Sequence, residues 1–208
     1  RVMLLRTALD LGRDPAARRL TMAIVVAFLP AAFIGLATHK WITAHLFRPV
    51  TVAAALLAGG VAILVVERFK PAPRAETLQQ ISLSTAFGVG LAQVLSLFPG
   101  VSRSAATIMG GLALGIARPA ATEFSFLLAL PVMFAASALG LWSERGALSA
   151  ADAPVFAVGL VTAFVSALIA IRLLLRFVSR HTFTGFAWYR IAFGVVLLGA
   201  MAAGWLAT

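Results

Sequence analysis

The sequence predicts an all-α fold: a polytopic membrane helix bundle carrying a re-entrant helical hairpin, as one part of an inverted-repeat architecture. Three observations lead there. The chain is 62% hydrophobic and only 12% charged over 208 residues, with a mean hydropathy of +1.01, far from the balance of a soluble domain. Five apolar runs have the length of a membrane span, and a sixth region is broken at its centre by the polar stretch Pro99 to Thr107. A single membrane domain over residues 1–208 follows, since no polar segment is long enough to fold separately.

The runs fall at about 20–38, 50–66, 121–142, 154–178 and 186–206, each apolar on every side. Between them lie polar clusters, Glu67 to Gln80 with Pro71 and Pro73, and Ser143 to Asp152. The segment from Ile81 to Ile116 resists the same treatment, because two full spans would need about 40 residues. Two half-length helices, within 82–116 and turning at Pro99-Gly100, fit better. Irregular backbone at membrane depth is tolerated only where protein or a watery cavity surrounds it, so the tip of such a hairpin should line a site.

Cation placement supports a hairpin that returns to its starting side. With a cytoplasmic amino terminus, the inside loops and span ends collect the cations of Arg1 to Arg19, Arg68 to Arg74, Arg118 and Arg172 to Arg190. Lys40, Arg48 and Arg145 remain outside, the asymmetry that orients membrane helices. The net charge of +10 therefore reads as loop cations beside anionic headgroups, and no nucleic-acid partner is expected. The absence of cysteine excludes disulfides and thiolate chemistry, and the three scattered histidines have no metal-ligand spacing. His39, His45 and His181 fall beside span ends, as do Trp41, Trp142, Trp188 and Tyr189, which read as an aromatic belt.

A faint internal repeat pairs Ala27-Phe28-Leu29-Pro30-Ala31 with Ala129-Leu130-Pro131-Val132. The second copy follows a hairpin and the first has none, and the chain opens on Arg1-Val2-Met3. An amino-terminally truncated fragment is expected on both grounds, with a counterpart half-site upstream.

The chemistry concentrates at the tip. Pro99 ends the incoming helix, Gly100 permits a tight turn, and Ser102 is suited to cap the outgoing helix, leaving the amides of about Arg103 to Ala105 free to bind an anion. Arg103 adds a two-point grip for phosphate oxygens, while Ser102, Ser104 and Thr107 add hydroxyls. The competing reading makes Pro-Gly a kink and turns the hydroxyls back onto helix carbonyls. A cation at mid-membrane is costly, and Arg103 favours the anion site. Gln93 faces either the same cavity or a neighbouring helix, and Glu123 is expected first as a structural partner of Arg103, otherwise as a helix-end charge or an aid to holding a cation.

At these residues the chain resembles the bacterial undecaprenyl-pyrophosphate phosphatases, the bacitracin-resistance family. The resemblance is carried by Gly90-Leu91-Ala92-Gln93, by Phe98 to Thr107 with its Pro-Gly-x-Ser-Arg-Ser core, by Gly115-Ile116-Ala117-Arg118, and by Glu123 to Pro131. Ala163 to Arg172 and Phe186 to Arg190 extend it over nearly the whole chain. It implies a bacterial inner-membrane enzyme, multi-pass, that converts undecaprenyl pyrophosphate to the monophosphate and inorganic phosphate, recycling the carrier for peptidoglycan synthesis and conferring bacitracin resistance. The substrate partner would be a polyprenyl pyrophosphate lipid, and a homo-oligomer is compatible with it. Arg103, Ser102, Ser104 and Thr107 would be catalytic, and Gly100 would join Ser102, Arg103 and Ser104 around the phosphate.

Two departures from the family pattern stand out. Ala105 replaces the usual glycine after Ser-Arg-Ser, and the amino-terminal Glu-rich and Pro-x-Ser-Ser-x-Gly-His motif is not in this chain. The family implies a divalent cation, Mg or Ca, with ligands in that missing segment, so the chain by itself is expected to be inactive and its metal ligands stay unassigned. The alternatives are a membrane transporter of an anionic solute, built on the same broken helices, or a catalytically inactive scaffold.

Overall fold

In the computed structural model, residues 14–146, 149–178 and 180–205 are described. Every regular element among them is helical: α1 (Pro15–His45), α2 (Pro49–Phe69), α3 (Leu83–Val94), α4 (Arg103–Ala113), α5 (Arg118–Ser143), α6 (Ala153–Val178) and α7 (Thr184–Ala202), with single 3-10 turns at Leu78–Gln80, Leu95–Leu97 and Ala150–Asp152. Five of them, α1, α2, α5, α6 and α7, are long and apolar enough to cross a membrane. The chain is a polytopic membrane protein.

Local chemistry fixes the helix starts. Asp14 accepts from the amide of Ala16 at 2.9 Å and Pro15 opens α1, while Ser82 caps α3 by accepting from Thr85 N at 3.1 Å. With this start and good helix formers at both ends, α1 extends well past the apolar run at 20–38. At 31 residues it is about 46 Å long, beyond the hydrocarbon core. The last helix ends sooner than its apolar run, because Gly204 takes φ +72° after Ala202. Leu206, like residues 1–13 and so the first three inside cations Arg1, Arg6 and Arg13, lies outside the described residues.

Small residues bring the helices together. A Cβ at Gly90 of α3 would lie 2.4 Å from the carbonyl oxygen of Ala27 in α1. On α2, a Cβ at Gly60 would lie 2.9 Å from the Ala187 carbonyl oxygen of α7. Close backbone approach of this kind holds helices where apolar burial gives no advantage over lipid. By contrast α6 is exposed to its surroundings along nearly its whole length, Val178 being its buried residue.

Between Phe69 and Arg118 the chain makes two short arms. At 12 and 11 residues, α3 and α4 are about 18 and 17 Å long, too short to span singly. The segments before and after the arms are stitched together: Arg74 and Ala75 donate to Gly115 O at 2.7 and 3.2 Å, and Ala117 N donates to Ala75 O at 2.8 Å. Both ends of the hairpin therefore lie on one face of the bundle. Beside this seam, Glu67 at the end of α2 accepts from Arg118 Nη2 at 2.8 Å, from Phe183 N at 2.9 Å and from Lys70, joining the ends of α2, α5 and α7. The tight core sits at this end, around Ile63, Ile81, Ile116, Phe124 and Leu128.

Candidate functional site

The tip of the hairpin is a sequence of three local decisions. Val101 N donates to Phe98 O at 3.2 Å, closing a turn in which Pro99 and then Gly100 occupy the middle positions. Gly100 has φ +95°, the left-handed geometry that a type II turn requires of its third residue, and a Cβ there would lie 2.7 Å from the Val52 carbonyl oxygen. The tip thus lies against the first turns of α2, at the opposite end of that helix from Glu67.

Ser102 follows with φ +74°, a conformation that costs a non-glycine residue about 1–3 kcal/mol. It caps α4 as expected: its Oγ accepts from Ala105 N at 3.4 Å, and its carbonyl accepts from Ala106 N at 3.0 Å. This narrows the anion nest. Ala105 contributes no free amide, because the cap occupies it, and the amides of Arg103 and Ser104 are those left without an intrahelical partner. Ser104 Oγ stands 3.3 Å from Ser102 Oγ, so the two hydroxyls share the mouth of the helix.

Arg103 opens α4, half-buried, and its Nη1 donates to the carbonyl of Ser125 at 3.0 Å. That bond fixes one side of the guanidinium fork against α5. The expected pairing with Glu123 does not form: Glu123 is exposed on α5, while its neighbours Thr122, Phe124 and Ser125 are buried. Helical geometry explains this, since two residues along α5 turn a side chain about 200° away. Among the described residues no carboxylate pairs with Arg103.

Thr107, expected among the catalytic residues, lies one turn into α4 against α5. Buried at 1% exposure, its hydroxyl donates toward Arg103 O at 3.0 Å and Ser104 O at 3.3 Å and lies 2.6 Å from Ser125 Oγ. It ties α4 to α5, and its proton is committed to the backbone of its own helix. Gln93 is also buried, in α3, with neither amide atom bonded to a protein group.

The residue that sequence reasoning misplaced is Arg190, counted among the inside cations. It is 3% exposed, and its Nη2 donates to Gly100 O at 2.8 Å and Ala55 O at 3.2 Å. A signal for it existed: an arginine followed directly by the apolar run Ile191 to Leu198. Its neighbours Trp188 and Tyr189, both exposed, made it resemble a boundary cation.

The donor set of the tip is suited to an anion and not to a metal. It offers amides, hydroxyls and guanidinium nitrogens, and no cluster of three or more His, Cys, Asp or Glu exists among the described residues. The residues described do not fit a divalent cation by themselves.

Comparison with known proteins places the chain in a family. The family described as Bacitracin resistance protein BacA matches residues 2–196. The undecaprenyl-diphosphatase of Dechloromonas aromatica is 48% identical over 99% of this chain and 75% of its own length. That of Nitrosospira multiformis is 50% identical over 95% and 72%, and undecaprenyl-diphosphatase 1 of Chromobacterium violaceum is 53% identical over 92% and 71%.

Proposed function

The chain belongs to the BacA family of bacitracin resistance proteins, and from that premise we propose that it removes the terminal phosphate of undecaprenyl pyrophosphate, with the hairpin tip as the diphosphate grip. The observation that carries the assignment of the tip is Arg103: an arginine without a carboxylate partner among the described residues, at the start of a helix whose first two amides are unbonded. An anion completes this arrangement.

The substrate's polyprenyl chain lies in lipid against the exposed apolar helices, and its diphosphate enters at the tip. The free side of the Arg103 fork and the amides of Arg103 and Ser104 hold the phosphate oxygens, and the Ser104 hydroxyl adds a donor. A new P–O bond forms at the terminal phosphorus as its bond to the bridging oxygen breaks, and charge grows on the oxygens these groups face. The bridging oxygen leaves with undecaprenyl phosphate, inorganic phosphate is released, and one water is consumed overall. Arg103 needs little reorganisation for this, because Ser125 already holds its guanidinium. Thr107 braces the same turn.

The hairpin re-enters the membrane from the cytoplasmic side of a bacterial inner membrane. The cations Arg68, Lys70, Arg74 and Arg118 gather at the stitched end, and positive charge marks the inside. The tip, beside the opposite end of α2, then opens to the outer half of the bilayer. The test is phosphate release from a polyprenyl pyrophosphate by the purified protein expressed from its gene. Release that persists when the tip is altered at Arg103 removes the tip from the reaction, and anion uptake into vesicles without any release makes the protein a carrier.

A further inference from the structure

Arg190 sits in α7 across the interface with α2, in a slot that Gly59 leaves open: a Cβ at Gly59 would lie 2.4 Å from Nη2. Its Nε has no hydrogen-bond partner, and no carboxylate among the described residues pairs with it. A buried, unpaired cation is costly, and a methionine or leucine would fill an apolar helix interface more favourably. What the guanidinium does accomplish is local. It bonds Ala55 O on α2 and Gly100 O on the tip, spanning 90 residues of chain to reach the second.

The Gly100 carbonyl lies in the peptide plane leading to Val101. Holding it orients the turn at Gly100, and through Val101 the positive-φ Ser102 that starts α4. We propose that Arg190 is a positioning residue for the diphosphate grip: it acts through the Gly100 carbonyl to hold the turn that aims Arg103 and the first amides of α4. This rests on the phosphatase reading of the tip. Arg190 itself need not touch the substrate.

The chain has no cysteine, so a nitroxide on Val101→Cys reports tip mobility in the protein in nanodiscs with no substrate present. Arg190→Met should sharpen the label's immobilised lines. Gly59→Ala should do the same while leaving Arg190 in the chain, since the new methyl displaces Nη2, and it carries the test if Arg190→Met fails to accumulate. Gly199→Ala, in open space on α7, should leave the spectrum unchanged. With a polyprenyl pyrophosphate, Arg190→Met should lower kcat by roughly 10- to 100-fold, the worth of one charge-assisted hydrogen bond, with KM within about threefold. An unchanged label in both variants overturns the proposal. So does a mobilised label with unchanged kcat, or a raised KM at constant kcat, which would make Arg190 a direct substrate contact. A wild-type protein that releases no phosphate would overturn the proposed function, while the label still decides whether Arg190 holds the tip.

Discussion

Glu67 and Arg118, 51 residues apart, meet at 2.8 Å and close the cation-rich end of the bundle, with the Glu67 side chain 7% exposed and that of Arg118 21%. The same carboxylate accepts from Phe183 N and Lys70, so one acidic group satisfies donors from three segments. Glu67→Ala would leave the Arg118 charge and the Phe183 amide unpaired. A loss of about 2–4 kcal/mol in stability is expected, below the largest values for buried pairs because Arg118 is partly solvated. Thermal unfolding in detergent measures it, and a midpoint equal to wild type would show the clasp to be idle.

Arg103→Lys should cut phosphate release by roughly two to three orders of magnitude while the protein inserts and unfolds as wild type does. Lysine retains the charge and loses the planar fork that bonds Ser125 and phosphate together, a transition-state contact worth about 3–4 kcal/mol. Steady-state kinetics decide the matter, and near-native turnover would remove Arg103 from the grip.

Thr107→Val should behave as a structural lesion. It removes the 2.6 Å contact with Ser125 Oγ inside the α4–α5 interface and leaves that hydroxyl without this partner. About 1–3 kcal/mol of stability should be lost, with turnover reduced less than about tenfold. A loss of turnover as large as that of Arg103→Lys, at unchanged unfolding temperature, would return Thr107 to the reacting group.

Two glycines make a matched pair for packing. Gly90→Ala places a Cβ 2.4 Å from the Ala27 carbonyl oxygen, backbone that cannot swing aside, whereas Gly199 has nothing within 4 Å. The first substitution should destabilise by about 1–3 kcal/mol through overpacking, and the second should stabilise by about 0.5–1 kcal/mol through helix propensity. Unfolding midpoints of the two variants should move in opposite directions.

A hairpin that returns to one side predicts that cysteines at Glu76 and Pro119, both exposed, react with a membrane-impermeant reagent from the same side, and a cysteine at Phe47 from the other. Ala75 would be a poor choice, being 6% exposed and bonded to Gly115 and Ala117. Labelling of positions 76 and 119 from opposite sides would show that the segment between them crosses once.

The helical character of the chain and its unusual centre were legible in residue order alone, because both depend on local chemistry. Apolar runs of span length must be helical in lipid, where every backbone group needs an internal partner. Pro99, Gly100 and Ser102 specify a break, a turn and a cap within four residues. Which side chains meet depends instead on how helices distant in sequence are rotated and seated. Glu123 was eligible to pair with Arg103 by proximity along the chain, but the rotation of α5 presents Ser125. Thr107 carried the same hydroxyl whichever way α4 faced, and only the approach of α5 commits it to Ser125. Arg190 looked like an interfacial cation from its neighbours Trp188 and Tyr189. Its place beneath the tip exists because Gly59, 131 positions earlier, lets α2 and α7 approach closely enough for a guanidinium to reach Gly100. Residue order determined where the backbone turns and which donors it carries, and tertiary packing decided where those donors point, because a helix places its side chains on every side and only its neighbours select among them.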